Sequence, residues 1–268
     1  MLTARAPAPP LSSFVAVLWY AEGWKPPHPR ERHMPDGSVN LIVSLAEDAC
    51  GPSGPPAVVS GPRSESFVLE TGQMPETIIG AQFTHGGAAA VLDVPVSDLR
   101  NTHAPLAEVV GRSGALLWGR LMDASTPDGR LDLLEAWLRE RMLRRPGPDG
   151  AIVWAARQLC LPRTRVGDVT TQIGRSARWI IGRFASDVGL TPKVFSRVQR
   201  FQAALRQAHQ RPAVDLADLA AGAGYFDQAH LTHEFRRIAG MSPSALLAGR
   251  TEFLNHVADA EPSARRSS

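Results

Sequence analysis

Two histidines three residues apart, His230 and His233, follow Asp227 and Gln228 in the stretch GYFDQAHLTHEFRRIAGMSP (224–243). Residues three or four apart share one face of a helix. Three chemistries are open to such a group: metal ligation, catalysis, or contact with a large partner. Spacing argues against metal. His-x-x-His-Glu matches neither H-E-x-x-H nor H-x-x-E-H, so the glutamate is misplaced as a base, and no third ligand stands nearby. Nucleophilic catalysis needs a serine or cysteine beside its base, and none stands out here. No metal, no cofactor and no catalytic residue are therefore expected. What is left is an arc of Gln228, Ala229, His230, Thr232, His233, Arg236 and Arg237, opposite an apolar row of Leu231, Phe235 and Ile238.

The same pattern occurs earlier in the chain. Ile180 and Phe184 precede Leu231 and Phe235 by 51 positions, as Gly189 and Pro192 precede Gly240 and Pro243. Further upstream the offset is 50: Val166, Asp168 and Val169 match Leu216, Asp218 and Leu219. The slip of one falls in the turn between paired helices, where an insertion costs least. Each copy reads as helix, tight turn, helix, stop. Ser176 caps ARWIIGRFASDV and Asp227 caps QAHLTHEFRRIA, because their side-chain oxygens accept orphan amide hydrogens. Gly189 and Gly240 close these helices in the left-handed conformation. KVFSRVQRFQAALRQAHQ joins the copies as a longer helix. Two short helices around a glycine turn form a helix-turn-helix, whose second helix fits a DNA major groove. Such corners also occur in helical domains that bind no DNA.

Charge favours the nucleic-acid reading. Residues 1–150 hold 13 basic and 17 acidic residues, a balance of −4, whereas residues 151–268 hold 16 and 9, a balance of +7. A basic half attached to an acidic half suggests that one half meets a polyanion. No apolar run approaches the ~20 residues that span a bilayer, and MLTARAPAPPLSS lacks a signal-peptide core. Only Cys50 and Cys160 occur, so no disulfide framework is expected and a cytoplasmic location is the default.

RRPGPDG (144–150) marks the boundary between the halves, since its prolines and glycines cannot continue the preceding helix. That helix, DGRLDLLEAWLRERMLRR, buries Leu131, Leu134, Leu138 and Met142; another, APLAEVVGRSGALLWGRLMDA, precedes it. Earlier still, SFVAVLWY, MPDGSVNLIVSL, AVVSG and ETIIGAQF are short β-prone runs broken by turns, including GPSGPP, and predict an antiparallel sheet or small barrel. The small residues of FTHGGAAAVLDVP predict a helix packed closely on that sheet. DAEPSARRSS lacks apolar content and reads as a frayed tail.

GYFDQAHLTHEFRRIAGMSPSAL closely resembles the signature of AraC/XylS-type transcriptional regulators. The match lies in the glycine-aromatic turn, the Asp-Gln-x-His start, the Leu-x-x-x-Phe pair and the Gly-x-Ser-Pro exit; RFQAAL in the connecting helix fits too. The resemblance covers about residues 150–250 and implies seven helices carrying two helix-turn-helix units. MPDGSVNLIVSL and GAQFTHGGAAAVLDVPVSDL more loosely resemble the β-rich N-terminal domains attached to some members, which implies a cupin-like effector or dimerisation region. The expected fold is thus α+β: an N-terminal β-rich, cupin-like domain with C-terminal helices over 1–146, an all-α seven-helix DNA-binding domain over 147–250, and a flexible tail over 251–268.

The resemblance puts Ala229, His230 and His233 in groove-facing positions and Arg236 and Arg237 on phosphates. Gln228 has the donor and acceptor to pair with adenine. His233 stands where the family often has arginine, giving up a permanent charge. The first unit departs further. Its arc of Ser176, Ala177, Arg178, Trp179, Ile181, Gly182 and Arg183 carries an isoleucine and a glycine where polar or basic residues are usual. Either it discriminates bases weakly, with Ile181 or Trp179 on a thymine methyl, or it is degenerate. In the N-terminal half, His28, His33, His85 and His103 form no His-x-His and read as scattered, while Arg30, Arg32 and Arg63 are candidates for an anionic effector.

The expected function is sequence-specific binding of double-stranded DNA, with RNA polymerase, a small-molecule effector and a second copy of the chain as further partners by analogy. Two other readings compete: a cupin-like small-molecule enzyme with a helical accessory domain, and an interaction adaptor that has lost DNA binding.

Overall fold

The computed structural model describes residues 1–23, 28–46, 56–73, 75–161, 163–210 and 214–259. Cys50, most of GPSGPP and residues 260–268 of the expected tail lie outside the described residues. The fold is α+β, with a β-rich N-terminal part followed by helices.

Residues rich in Val, Ile and aromatics pair where the sequence predicts strands. The chain runs β1 (Leu2–Arg5), β2 (Val15–Glu22), β3 (Arg30–His33), β4 (Asn40–Ser44), β5 (Ala57–Ser60), β6 (Phe67–Glu70), β7 (Thr77–Phe83) and β8 (His103–Pro105). Six of these form one antiparallel sheet in the order β1-β2-β7-β4-β5-β8. Helices α1 (Leu106–Val110), α2 (Arg112–Asp123) and α3 (Pro127–Leu143) follow. The sequence predicts one helix where α1 and α2 stand. Gly111, at φ 66° between them, breaks it. Leu131, Leu134, Leu138 and Met142 of α3 are buried with Leu18, Leu41 and Ile79 of the sheet in one core.

Among the described residues, seven helices follow: α4 (Gly150–Leu159), α5 (Val166–Ile173), α6 (Ala177–Val188), α7 (Pro192–His209), α8 (Leu216–Ala223), α9 (Gln228–Ala239) and α10 (Pro243–Ala248). A last strand, β9 (His256–Ala258), pairs with β3, and β3 with β6, as a separate three-stranded sheet.

Contacts divide the described residues otherwise than the sequence boundary at 146/147. One compact unit draws on 1–24, 37–64 and 75–199, the other on 25–36, 65–74 and 200–268. The division falls inside α7. Phe195 and Val198 pack with α4, α5 and α6, whereas Phe201, Ala204 and Leu205 pack with α8 and α9. The first unit thus contains the large sheet, α1–α3 and the first helix pair, and the second contains the second pair with β3, β6 and β9. Residues 256–258 correct the expectation of a wholly flexible tail: they are a paired strand, held through backbone bonds that composition does not reveal.

Candidate nucleic-acid interface

In the first unit, α5 ends at Gly174, φ 66°, and the chain turns into α6. Ser176 Oγ accepts from the Trp179 N–H at 3.3 Å. The inward residues Ile180, Phe184 and Val188 are buried, with Phe184 edge-on to Phe195 at 5.5 Å. Gly189 closes the helix at φ 85°. A Cβ there would lie 2.3 Å from Pro62 and 2.8 Å from Val96, so glycine is required both by conformation and by close approach. Helix α6 also packs on the 3-10 turns Gly87–Ala90 and Val96–Leu99. The stretch expected to be a regular helix, FTHGGAAAVLDVP, supplies the first of these turns, and its Gly87 meets the backbone of Phe14 as closely as the small residues suggested.

The outward side of α6 carries Arg178, Ile181, Gly182 and Arg183, all exposed, with Trp179 half-buried. With Ser176 and Ser186 these residues line a shallow depression, Ile181 excepted. Arg175, which sequence reasoning passed over, stacks its guanidinium 5.5 Å from the Trp179 ring. Only its basic character just before the cap could have pointed to it. Arg183 is partly engaged. Its Nε lies 3.0 Å from Asp187 Oδ2, which also accepts from the Asp149 N–H at 3.1 Å. Burial pushes the Asp187 carboxyl up, and these two partners only partly offset it.

In the second unit, Asp215 caps α8 by accepting from the Ala217 and Asp218 N–H groups at 2.7 and 3.1 Å. Gly224, φ 78°, makes the turn. Asp227 Oδ1 accepts from the His230 N–H at 2.7 Å, which makes Asp227 the N-cap of α9. Leu231, Phe235 and Ile238 are buried, with Phe235 against Phe201 at 4.8 Å. Glu234 is buried as well.

Gln228, Ala229, His233, Arg236 and Arg237 are exposed, and His230 and Thr232 half-buried. His230 also braces the turn. Its Nδ1 accepts from the Phe226 N–H at 3.3 Å, and its ring stands edge-on to Tyr225 at 5.3 Å. Accepting at Nδ1 puts the ring proton of the neutral tautomer on Nε2, leaving a donor on the other edge. Tyr225 is buried, which raises its phenol pKa, and Arg200 lies 5.7 Å from its ring. Phe226, in the turn itself, is 92% exposed. Among the described residues, Arg178, Arg236 and Arg237 enter no ion pair. Unpaired guanidinium groups around a capped helix face are suited to phosphate oxygens.

The arginines suggested for an anionic effector are largely committed elsewhere. Arg32 pairs with Asp259 at 2.8 Å, Arg30 with Glu70 at 3.1 Å, and Arg63 donates to the Asn101 carbonyl at 3.3 Å.

A duplicated, capped helix-turn-helix on a basic C-terminal half is the architecture of a DNA-binding transcription regulator. Residues 169–249 match the model of a Helix-turn-helix domain, and residues 3–105 match a Domain of unknown function (DUF6597). The chain thus carries a helix-turn-helix domain C-terminally and the DUF6597 domain N-terminally, as the resemblance to AraC/XylS-type regulators led one to expect. A search of curated proteins returns no match. Among solved structures, ToxT from Vibrio cholerae in its P21 form aligns at TM-score 0.41 and 9% identity, over 92% of this chain and 97% of that one. Wild-type ToxT from Vibrio cholerae strain SCE256 with unsaturated fatty acid bound aligns at 0.37 and 12%, over 92% and 94%. Among the described residues, no helix is long and apolar enough to cross a membrane.

Proposed function

We propose that this regulator reads two successive major-groove segments, one with α6 and one with α9, and that α9 supplies most of the base discrimination. The observation that supports this most is the split of each second helix. The inward row is apolar and buried, while the outward row starts at a capped N-terminus and stays open. On α9, Gln228, Ala229, His230, Thr232 and His233 meet base edges, and Arg236 and Arg237 hold phosphates. On α6, Arg178 and Arg183 meet the backbone, Ser176 caps, and Trp179 and Ile181 offer apolar surface to thymine methyls. The N-terminal domain binds a small effector or a second copy of the chain, and RNA polymerase is the partner through which DNA binding acts on transcription.

Selection of bound duplexes from a random pool, followed by affinity measured against salt, tests the reading. A defined motif should emerge, and log K should fall with log salt by roughly 0.9 per phosphate neutralised. No enriched motif together with a flat salt response would favour the adaptor reading instead.

A further inference from the structure

Strand β3 is the centre of the three-stranded sheet, although its sequence, RERH, is wholly polar. Alternation along the strand puts Glu31 and His33 on one side. His256 of β9 is the direct cross-strand partner of His33, and their ring centroids lie 4.1 Å apart. His256 Nδ1 is 3.0 Å from Glu31 Oε2. One ligand atom from each of the three residues falls within 4.8 Å of the other two. The histidine expected to be scattered in the N-terminal half is therefore grouped with two other donors.

Burial makes the grouping chemically pointed. Glu31 is 2% exposed, and a carboxylate taken out of water needs a cation or several donors against it. Aromatic rings flank the donors, Phe67 stacked on His33 at 5.2 Å and Phe253 at 5.4 Å from His256. An apolar surround strengthens the attraction between carboxylate and metal. Both imidazoles are half-exposed, which leaves an entry path and room for water.

We propose that Glu31, His33 and His256 form a site for a divalent transition-metal cation of the zinc class, which clasps β9 to β3. Two imidazoles and one carboxylate suit Zn2+ and its first-row neighbours, whereas Mg2+ and Ca2+ take mainly oxygen donors. Three protein ligands leave one position for water. Tetrahedral ligand bonds of about 2.0–2.2 Å set donors roughly 3.3–3.6 Å apart, so a donor pair at the 4.8 Å limit closes by roughly 1.5 Å when the ion binds, through rotation of the side chains. Glu31 and His256 are 225 positions apart, so the site exists only in the folded chain, and the ion stabilises that state.

The test uses the full-length protein, stripped with chelator and titrated with Zn2+ by calorimetry, with Mg2+ as control. Wild type should bind one Zn2+ per chain, and Tm should rise by roughly 5 °C or more at about 100-fold excess over Kd. His33→Phe keeps a ring against Phe67 and leaves the Glu31–His256 contact, but it cannot ligate. It should lose at least about 10-fold in affinity, together with the Tm rise. His33→Gln serves the same comparison if the phenylalanine variant misfolds. Absence of Zn2+ binding, equal response to Mg2+, or unchanged affinity in the His33 variants overturns the proposal. No readout involves DNA, so the outcome is independent of the interface described above.

Discussion

Helices α6 and α9 are twelve residues each, capped alike, and yet they present different surfaces. Position by position, Ile180, Phe184 and Gly189 of the first correspond to Leu231, Phe235 and Gly240 of the second, and all but Gly240 are buried. The outward positions diverge. Ile181 and Gly182 stand where α9 has Thr232 and His233, and Ala185 and Ser186 stand where it has Arg236 and Arg237. Interior packing tolerates little change in volume, so duplication preserved the inward row. Outward positions carry no such constraint and are free to take up recognition or to lose it. Cations cluster before and at the start of α6, as Arg175 and Arg178, but at the end of α9, where they also complement the helix dipole.

The equivalence of the two skeletons is most easily broken at the core. Phe184→Ala and Phe235→Ala should each cost about 3–5 kcal/mol in chemical denaturation, since each empties a fully buried site. A negligible cost at either phenylalanine would mean that its helix pair is not built as described. The caps come next. Asp227→Ala should lose about 0.5–2 kcal/mol, and Ser176→Ala should fall at the lower end, because its bond is 3.3 Å against 2.7 Å. The reverse order would contradict the geometry. Gly182 sharpens the contrast on the outward side. A Cβ there meets nothing within 4 Å, so Gly182→Ala should stabilise α6 by up to about 1 kcal/mol. It should also leave DNA affinity within a factor of two or so, since a methyl adds no hydrogen-bonding group. A large loss of affinity would show that α6 approaches the duplex backbone at that position.

The helical repeat was readable in the sequence because its signals are local. Apolar spacing, Ser176 and Asp227 as caps and Gly189 and Gly240 as stops all act within a turn or two, and α6 and α9 begin and end where those signals place them. Strands β2, β4, β5 and β7 were visible as β-branched runs. Strands β3 and β9 were not, because RERH has no apolar alternation and HVA is three residues long. Their pairing joins segments more than two hundred positions apart. The Glu31, His33 and His256 group was hidden for the same reason. The double use of His230, as a turn lock at Nδ1 and an outward donor, depends on a backbone N–H that only coordinates reveal.

The central claim is that the open faces of α6 and α9 hold DNA, with α9 the stronger contact. Its most direct test is the salt dependence of operator affinity in two variants, Arg178→Ala and the double variant Arg236→Ala with Arg237→Ala. If these guanidinium groups neutralise phosphates, the slope of log K against log salt should shrink by about 1 in the first and about 2 in the second. Slopes equal to wild type in both variants would contradict the account.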